Sequence, residues 1–358
     1  MIRKLELNNF TVFKKASFTF GDKLNVIVGE NGSGKSQLLK ILYAWTQGAF
    51  TSVIERSNGS GGDSREFYRQ LFKCDEDLRD LVNYTAMKNN LRTVKATASV
   101  SYDSYGRADV SELQITLAPH GMSTKLDFPL PLDWEVFNGS REKGLFLPAR
   151  DMLTLYPNFQ SLSKVYHLPY DGTYEDTIVK LGIPYLREEP SEFKQLIHAL
   201  EESIHGKIYL KNERFHYQAT DAPDGYEQDV NMAAEGWRKL GEVVQLLRNG
   251  QLRRGMALFW DEPEANLNPK LIRLMAKTIL ELAKTDIQVF ITTQSLFLLR
   301  EIDILTKSGR PLKKGEVRYF NFLGKGEVEQ GDVPEELGSI LLLDESLAQS
   351  GRFMDLED

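Results

Sequence analysis

Cysteines and long hydrophobic runs are scarce in this sequence. Cys74 is the only cysteine in 358 residues, which excludes an internal disulfide. Apolar stretches such as GMALFW and SILLL fall far short of the roughly 20 residues that a transmembrane helix needs. The chain opens directly on the strand-like IRKLELNNF, without a signal-like segment. The sequence therefore predicts a cytoplasmic protein with no membrane part of its own.

Neither sign of charge dominates, and the usual metal and coiled-coil patterns are missing. The chain has 44 Lys and Arg against 51 Asp and Glu, for a formal net charge of −7. This mild acidity argues against a protein that coats nucleic acid, although it leaves room for a local basic patch. The five histidines are scattered without the spacing of a zinc or HNH site, and no heptad run is long enough for a coiled-coil arm.

A glycine-rich stretch, LNVIVGENGSGKSQLLKIL, lies near the start of the chain. It fits the phosphate-binding pattern G-x-x-x-x-G-K-[ST], in which glycines let backbone N–H groups converge on a polyphosphate. The lysine supplies a charge for the β- and γ-phosphates, and the serine hydroxyl suits Mg²⁺. The predicted nucleotide-binding residues are Gly29, Glu30, Asn31, Gly32, Ser33, Gly34, Lys35, Ser36 and Gln37. The alternative is an ordinary glycine-rich turn.

A second acidic motif, LFWDEPEAN, follows a strand-like apolar run. It places two carboxylates at the carboxyl end of a buried strand, where open α/β sheets bind ligands. Asp261 is predicted to hold Mg²⁺ opposite Ser36, and Glu262 to polarise the water that attacks the γ-phosphate. The alternative is an acidic turn that begins a helix.

The order of elements predicts an α/β fold with a mostly parallel sheet. Three early strands and a helix from about Ser36 to Thr46 are followed by irregular segments, and regular strand–helix alternation returns after Asp229. We therefore expect a split P-loop NTPase head without a long coiled coil. Its predicted parts are an N-terminal lobe at 1–56, an inserted mixed α+β region at 57–229 and a C-terminal lobe at 230–358.

Several smaller elements are also predicted. TVKATASVSY and SELQITLA alternate as a hairpin that turns around 104–108, and KIYL and ERFHYQ form another with Asn212 near its turn. SNGSGGDS, at 57–64, has the composition of a mobile loop, and the charged stretch at 65–91 shows helical spacing. VRYFNFLGKGEVEQ reads as a terminal hairpin.

GENGSGKS, FWDEPEANLNP and FITTQS together resemble the ABC-type ATPases of the SMC, RecF and OLD group. The sequence is similar above all to the stand-alone AAA-labelled ATPases of bacterial anti-phage systems, such as the ATPase subunits of Septu and PARIS. The resemblance covers about 1–50 and 230–305, and it is weaker around LFLPARDM. In that family two subunits enclose two ATP molecules. The resemblance therefore implies ATP and Mg²⁺ as ligands and a homodimer or a higher even-numbered oligomer.

The resemblance also assigns roles to residues outside the two main motifs. The signature motif, which contacts the partner's ATP, falls on AAEGWRKLG with Gly236 as its central glycine, although the family's serine and paired glycines are missing. A plain helix N-terminus is the alternative. The switch position, where relatives usually carry histidine, is Gln294. Glutamine can bond a phosphate oxygen or the water but cannot carry a proton, so slow hydrolysis is expected.

Cations outside the motifs are further candidates. Arg150, at the end of LFLPAR, is predicted to reach a phosphate, with a surface ion pair as the alternative. Lys14 and Lys15 follow the first strand, where the family often has a basic residue near the nucleotide; a solvated turn is the alternative. RNGQLRRG and KSGRPLKK are basic enough to touch nucleic acid, but such stretches are more often solvated helix ends.

These features predict an ATPase that dimerises around ATP and regulates a separate effector, a nuclease or toxin, in anti-phage defence. The alternative is a DNA-repair or DNA-end-binding ATPase like RecF. A transporter subunit is disfavoured because no LSGGQ-like motif is present. The sequence shows no TOPRIM-like domain after the ATPase lobe and does not identify the effector or its trigger.

Overall fold

The computed structural model describes residues 1–58, 69–74, 78–83, 94–104, 107–118, 121–127, 144–166, 168–308 and 312–356. The predicted mobile loop at 57–64 lies outside these ranges except for its first two residues. Most of the charged stretch at 65–91 is also outside them, and Leu78–Leu81 within it form a 3₁₀ turn.

A six-stranded sheet carries the two predicted nucleotide motifs. Its strands are ordered β14-β13-β3-β12-β11-β7. Their bounds are β3 Leu24–Gly29, β7 Gly144–Leu147, β11 Ala257–Asp261, β12 Gln288–Thr293, β13 Val317–Gly324 and β14 Glu327–Gly331. Every pair is parallel except β13 with β14. The predicted α/β fold with a mostly parallel sheet is confirmed.

Four strands of the central sheet, β3, β7, β11 and β12, are apolar almost throughout and buried on both faces. Val26 and Val28 belong to the hydrophobic cluster on one face, which also contains Trp260. Ile27 and Phe259 belong to the cluster on the other face. Burial on both faces explains why these strands read as continuous apolar runs in the sequence.

A second sheet has the order β2-β1-β4-β5-β6 and is antiparallel throughout. The strands span β1 Ile2–Phe10, β2 Phe13–Thr19, β4 Val94–Ser104, β5 Arg107–Ala118 and β6 Gly121–Asp127. The predicted pairing of these two strands as a hairpin is confirmed up to Ser104 and Arg107, residues 105–106 of its turn lie outside the described ranges, and β4 also pairs with β1. The segment 57–229 is therefore interleaved with the rest of the chain, since it supplies three strands to this sheet and β7 to the central one.

Eight helices are used in the description that follows. They are α1 Lys35–Asn58, α2 Phe159–Val165, α3 Gly172–Leu181, α4 Lys194–Ser203, α5 Glu235–Arg248, α6 Pro269–Lys284, α7 Leu296–Lys307 and α8 Leu341–Met354. The prediction that α1 ends near Thr46 is wrong, because no proline interrupts the following turns and the lone Gly48 is tolerated within a helix. The terminal hairpin is also not the last element, since α8 follows it.

A small sheet of order β10-β9-β8 lies beside α5. It is formed by β8 Gly206–Lys211, β9 Arg214–Ala219 and β10 Gln228–Asp229. The predicted turn at Asn212 is confirmed: Asn212 and Glu213 both have positive φ, at 48° and 59°. Asparagine tolerates this left-handed conformation better than most residues.

Side chains cover the β7 edge of the central sheet. The Phe146 carbonyl accepts a hydrogen bond from the Thr177 hydroxyl at 2.6 Å. The Gly144 carbonyl accepts from Gln47 at 2.9 Å and from the Lys180 ammonium at 3.2 Å. Carbonyls that would otherwise face outward are therefore already bonded. At the other edge, the side chain of Gln330 on β14 bonds the backbone of β2.

Within the described ranges, none of the helices has both the length and the apolar character needed to cross a membrane.

Candidate active site

The glycine-rich loop between β3 and α1 has a backbone that only glycine fits at two points. Gly29 has φ of +148°, and a Cβ there would lie 2.7 Å from both Cβ and the carbonyl oxygen of Phe322. Gly34 has φ of +102°, and a Cβ there would lie 2.6 Å from Cγ2 of Val12. Both conformations favour glycine, and the packing leaves no room for a side chain. The loop is therefore held in one compact arc at the end of β3.

Lys35 lies across this arc. Its ammonium donates to the carbonyls of Gly29 at 2.8 Å and Glu30 at 2.7 Å, and the residue is only 6% exposed. Burial lowers the pKa of Lys35, while the nearby carboxylates of Glu262 and Asp261 raise it. The side chain is thus a buried cation whose charge is not neutralised by a direct ion pair among the described residues, as a polyanion site requires.

Ser36, in the first turn of α1 after β3, meets Asp261 at the end of β11, with β12 lying between the two strands. The Ser36 hydroxyl donates to Oδ1 of Asp261 at 3.1 Å, and the Thr292 hydroxyl donates to the same oxygen. Asp261 ends β11, and Thr292 lies opposite it on β12. A hydroxyl and a carboxylate are the oxygen donors that Mg²⁺ prefers. The pair predicted from sequence is brought together and suits that ion.

Glu262 follows in a strained conformation that aims its carboxylate at the switch position. Its φ is +44°, which is uncommon for a residue other than glycine, and its N–H donates to the Thr292 hydroxyl at 3.0 Å. Its Oε1 accepts a hydrogen bond from the side-chain amide of Gln294. The predicted general base and the predicted switch residue are therefore in direct contact.

The other loop residues differ in exposure. Glu30, Asn31 and Gly32 are exposed, whereas Ser33 is buried and donates to the Glu30 carbonyl at 2.8 Å. Gln37, in the first turn of α1, carries a buried Oε1 without a hydrogen-bond partner among the described residues. An orphaned buried acceptor at this point is consistent with a site completed by a ligand and its water.

Arg150 lies near Tyr174, a residue that is also close to Asp261. It is exposed, and no carboxylate in the described part of the chain forms a salt bridge with it. Arg150 and Asp261 both act electrostatically on Tyr174 of α3, whose pKa is raised to about 12, first by burial and then by Asp171. Tyr174 is a neighbour of the site that the sequence did not single out. The phosphate role of Arg150 stays a prediction.

Lys14 and Lys15 are exposed on β2. Lys14 directly follows Phe13, whose ring lies 3.1 Å from the position of a Cβ at Gly34. The backbone of Lys14 therefore lies close to the phosphate loop. Its role at the nucleotide stays a prediction.

Gly236 lies in the first turn of α5 and is buried. A Cβ there would lie 2.6 Å from Leu271 and 2.9 Å from Leu267, so glycine lets the start of α5 approach the segment after β11 closely. This packing accounts for the glycine within a single copy of the chain. Its contact with a partner's ATP stays a prediction.

Two charged residues on α5 are buried, and sequence analysis missed both. Lys239 is 2% exposed and donates to the Ala265 carbonyl at 2.8 Å, in the ANLNP segment. Glu242 is 3% exposed and accepts from the Met152 N–H. The sequence does indicate that Lys239 is buried, since helical spacing places it on the same face as Val243 and Leu246.

A salt bridge also joins α5 to the loop after β7. Arg238 donates to Asp151 at 2.7 Å, with both side chains largely buried. Helix α5 is therefore joined by hydrogen bonds both to the loop after β7, which carries Arg150, and to the segment after β11.

Replacing Glu242 with glutamine should stabilise the protein at high pH. Burial raises the pKa of Glu242 well above its usual range, and the Asp151 carboxylate raises it further, against an opposing effect of Lys239. Because the folded state then binds the proton more tightly than the unfolded state, wild-type stability falls as pH rises from the unfolded pKa towards the folded one. Glutamine keeps the acceptor for Met152 and cannot ionise.

The gain in free energy of unfolding should be smallest near pH 5 and grow towards pH 8, by about 1.4 kcal/mol for each unit of pKa shift removed. Urea denaturation of both proteins at the two pH values measures it. A stability difference that does not change with pH would contradict the assignment.

Comparison with solved structures identifies the architecture. The chain aligns with the crystal structure of an SMC head bound to the C-terminal winged-helix domain of ScpA, with a TM-score of 0.53 and 14% identity, over 93% of this chain and 98% of that one. The chain has the fold of an SMC head. The SMC head domain from Thermotoga maritima aligns over 92% of this chain and 98% of its own length, with a TM-score of 0.48 and 14% identity.

Two AAA-type ATPase domain models match separate parts of this SMC-head fold. Residues 1–103 match the model described as "AAA ATPase domain". Residues 135–300 match the one described as "AAA domain, putative AbiEii toxin, Type IV TA system". The AAA-type ATPase resemblance inferred from the motifs is confirmed at this level.

The DNA replication and repair protein RecF of Bacillus thuringiensis (strain Al Hakam) is 26% identical over 98 residues, and RecF of Bacillus cereus (strain B4264) matches equally. The matched segment covers 27% of this chain and 23% of the RecF proteins, so these relatives extend well beyond it.

Proposed function

We propose that the protein binds and slowly hydrolyses Mg²⁺-ATP. The observation that carries this proposal is the meeting of Lys35 and Ser36, which follow β3, with Asp261 and Glu262 at the end of β11, at the carboxyl ends of parallel strands separated only by β12. Nine residues from Gly29 to Gln37 would surround the phosphates, and Ser36 with Asp261 would hold Mg²⁺, which supplies charge neutralisation to the phosphates when bound.

Each side chain then has a distinct task in the reaction. Lys35 places a positive charge against the β- and γ-phosphates, where negative charge develops. Glu262 accepts the proton of the attacking water, and Gln294, already bonded to Glu262, orients that water. Because glutamine cannot itself take up a proton, all proton transfer falls on Glu262, and turnover is slow.

We further propose that two copies close around ATP and that the closed state regulates a separate effector, a nuclease or toxin, in anti-phage defence. Two observations support this part. The family description matched by 135–300 names a toxin–antitoxin system, and the hydrogen bonds of α5 connect the start of that helix, with Gly236, to the loop that carries Arg150. A displacement of α5 caused by contact of Gly236 with the partner's nucleotide would thereby be transmitted to the 57–229 region.

A second candidate function is a RecF-like ATPase that binds DNA ends. The match to RecF supports it. Of the basic stretch RNGQLRRG, Arg248 is not available for DNA, because it is paired with Glu189 and Glu201. Arg253 and Arg254 are exposed, and no salt bridge involves either of them within the described ranges.

Affinity capture from the native host should separate the two functions. With Glu262→Gln as bait in the presence of ATP, we expect a co-purifying effector protein whose recovery changes when ATP is omitted. The purified chain alone should not cut DNA or RNA. Wild-type protein and Lys35→Ala serve as the turning-over and nucleotide-free comparisons. Recovery of no protein, together with tight ATP-dependent binding of bare DNA, would favour the RecF-like function.

A further inference from the structure

Glu264 is a buried carboxylate two residues beyond the general base. It is 8% exposed. Its Oε1 accepts from the Thr293 hydroxyl at 2.5 Å and from the Gln294 N–H at 3.1 Å. Its Oε2 is buried and has no hydrogen-bond partner among the described residues. Burial raises the pKa of Glu264, as expected for a carboxyl group with one oxygen unsatisfied.

These bonds hold Gln294 at two points. Its backbone N–H is fixed by Glu264, and its side-chain amide is bonded to Glu262. Gln294 is therefore hydrogen-bonded to two carboxylates of the DEPE motif, those of Glu262 and Glu264. A change in the position of Glu264 would move the backbone of Gln294, and with it the amide that touches the base.

Glu264 itself rests on a rigid segment. The Ala265 N–H donates to the Glu262 carbonyl at 3.0 Å, and the Leu267 N–H donates to the Glu264 carbonyl at 3.0 Å. The ammonium of Lys239 bonds the Ala265 carbonyl at 2.8 Å from the neighbouring helix α5. The backbone that carries Glu264 is thus fixed from two sides.

We propose that Glu264 is a positioning residue, which uses its Oε1 to set the place of Gln294 relative to Glu262 and hence to the attacking water. The inference rests on the proposed ATP hydrolysis. Direct acid–base chemistry at Glu264 is disfavoured, because both hydrogen atoms that its Oε1 accepts belong to protein groups and its Oε2 is enclosed. What the role requires is an acceptor oxygen at this point, not a negative charge.

This distinction is testable with two substitutions at one position. Glu264→Leu removes the acceptor, and we expect kcat for ATP to fall by roughly 10- to 100-fold, since small displacements of a reacting geometry have effects of this size. Glu264→Gln keeps an acceptor oxygen without the charge, and it should recover most of the lost turnover. The ATP dissociation constant should stay close to that of wild type in both. Glu281→Leu, at an exposed glutamate of α6, is the matched control.

Two results would overturn the proposal. The first is a kcat of Glu264→Leu equal to that of the control, and the second is a loss in Glu264→Gln as large as in Glu264→Leu, which would show that the charge itself is required. If Glu264→Leu does not fold, Glu264→Ala decides instead. It also removes the acceptor for the Gln294 N–H, and a kcat equal to wild type would then overturn the positioning role.

The test is separable from that of the proposed function. If wild-type protein hydrolyses ATP and Glu262→Gln does not, the ATPase assignment stands whatever Glu264 does. If wild-type protein neither binds nor hydrolyses ATP, the ATPase assignment fails, and this inference fails with it.

Discussion

Lys35→Ala should weaken ATP binding at least about 30-fold while leaving the protein folded, because removing one partner of a buried charge contact costs roughly 2 to 5 kcal/mol. Among the described residues the lysine bonds only loop carbonyls, and burial already lowers its pKa. Its charge therefore costs stability in the free protein and is useful only against a bound anion.

Isothermal titration with ATP and Mg²⁺ measures this effect, and thermal unfolding without nucleotide shows that the variant is intact. Lys277→Ala, at an exposed lysine of α6, provides the control for loss of a positive charge. Unchanged affinity in folded Lys35→Ala would rule out the glycine-rich loop as the phosphate site.

Glu262→Gln should bind ATP normally and lose roughly 100- to 10,000-fold in turnover, as expected when a general base is removed. The amide keeps an oxygen that can accept from Gln294, so the local geometry is preserved. Because the bound ATP is not hydrolysed, the closed assembly of two copies should then accumulate.

Phosphate release and light scattering report the two halves of this prediction. The expected results are negligible phosphate release and an ATP-dependent increase in mass, with Glu281→Gln behaving as wild type. Normal turnover would remove Glu262 from the mechanism. A mass that does not change at any ATP concentration would contradict closure by ATP.

Sequence analysis predicted those parts of the site in which one continuous segment contains both the reactive side chains and the strand, turn or helix that positions them. Lys35 and Ser36 were predictable because a strand, a glycine turn and a helix follow one another without interruption. Asp261 and Glu262 were predictable for the same reason, at the end of an apolar strand.

The parts that were missed depend on contacts between distant segments. The partners of Glu264 lie about 30 residues further along the chain, and that of Glu242 lies 90 residues before it. The pairing of β4 with β1 likewise joins segments about 90 residues apart. Local patterns cannot specify such partners, because many strands and helices have faces that would accept them.

The covered edge of β7 limits how two copies of the chain can associate. An exposed sheet edge would allow a second copy to add its strands and continue the sheet from one molecule into the next. Here the Gly144 and Phe146 carbonyls are already bonded by side chains, and an incoming strand would first have to displace those hydrogen bonds. Continuation of the central sheet from one copy into the next through β7 is thereby disfavoured, so the two-copy assembly proposed above would have to form through other surfaces of the molecule.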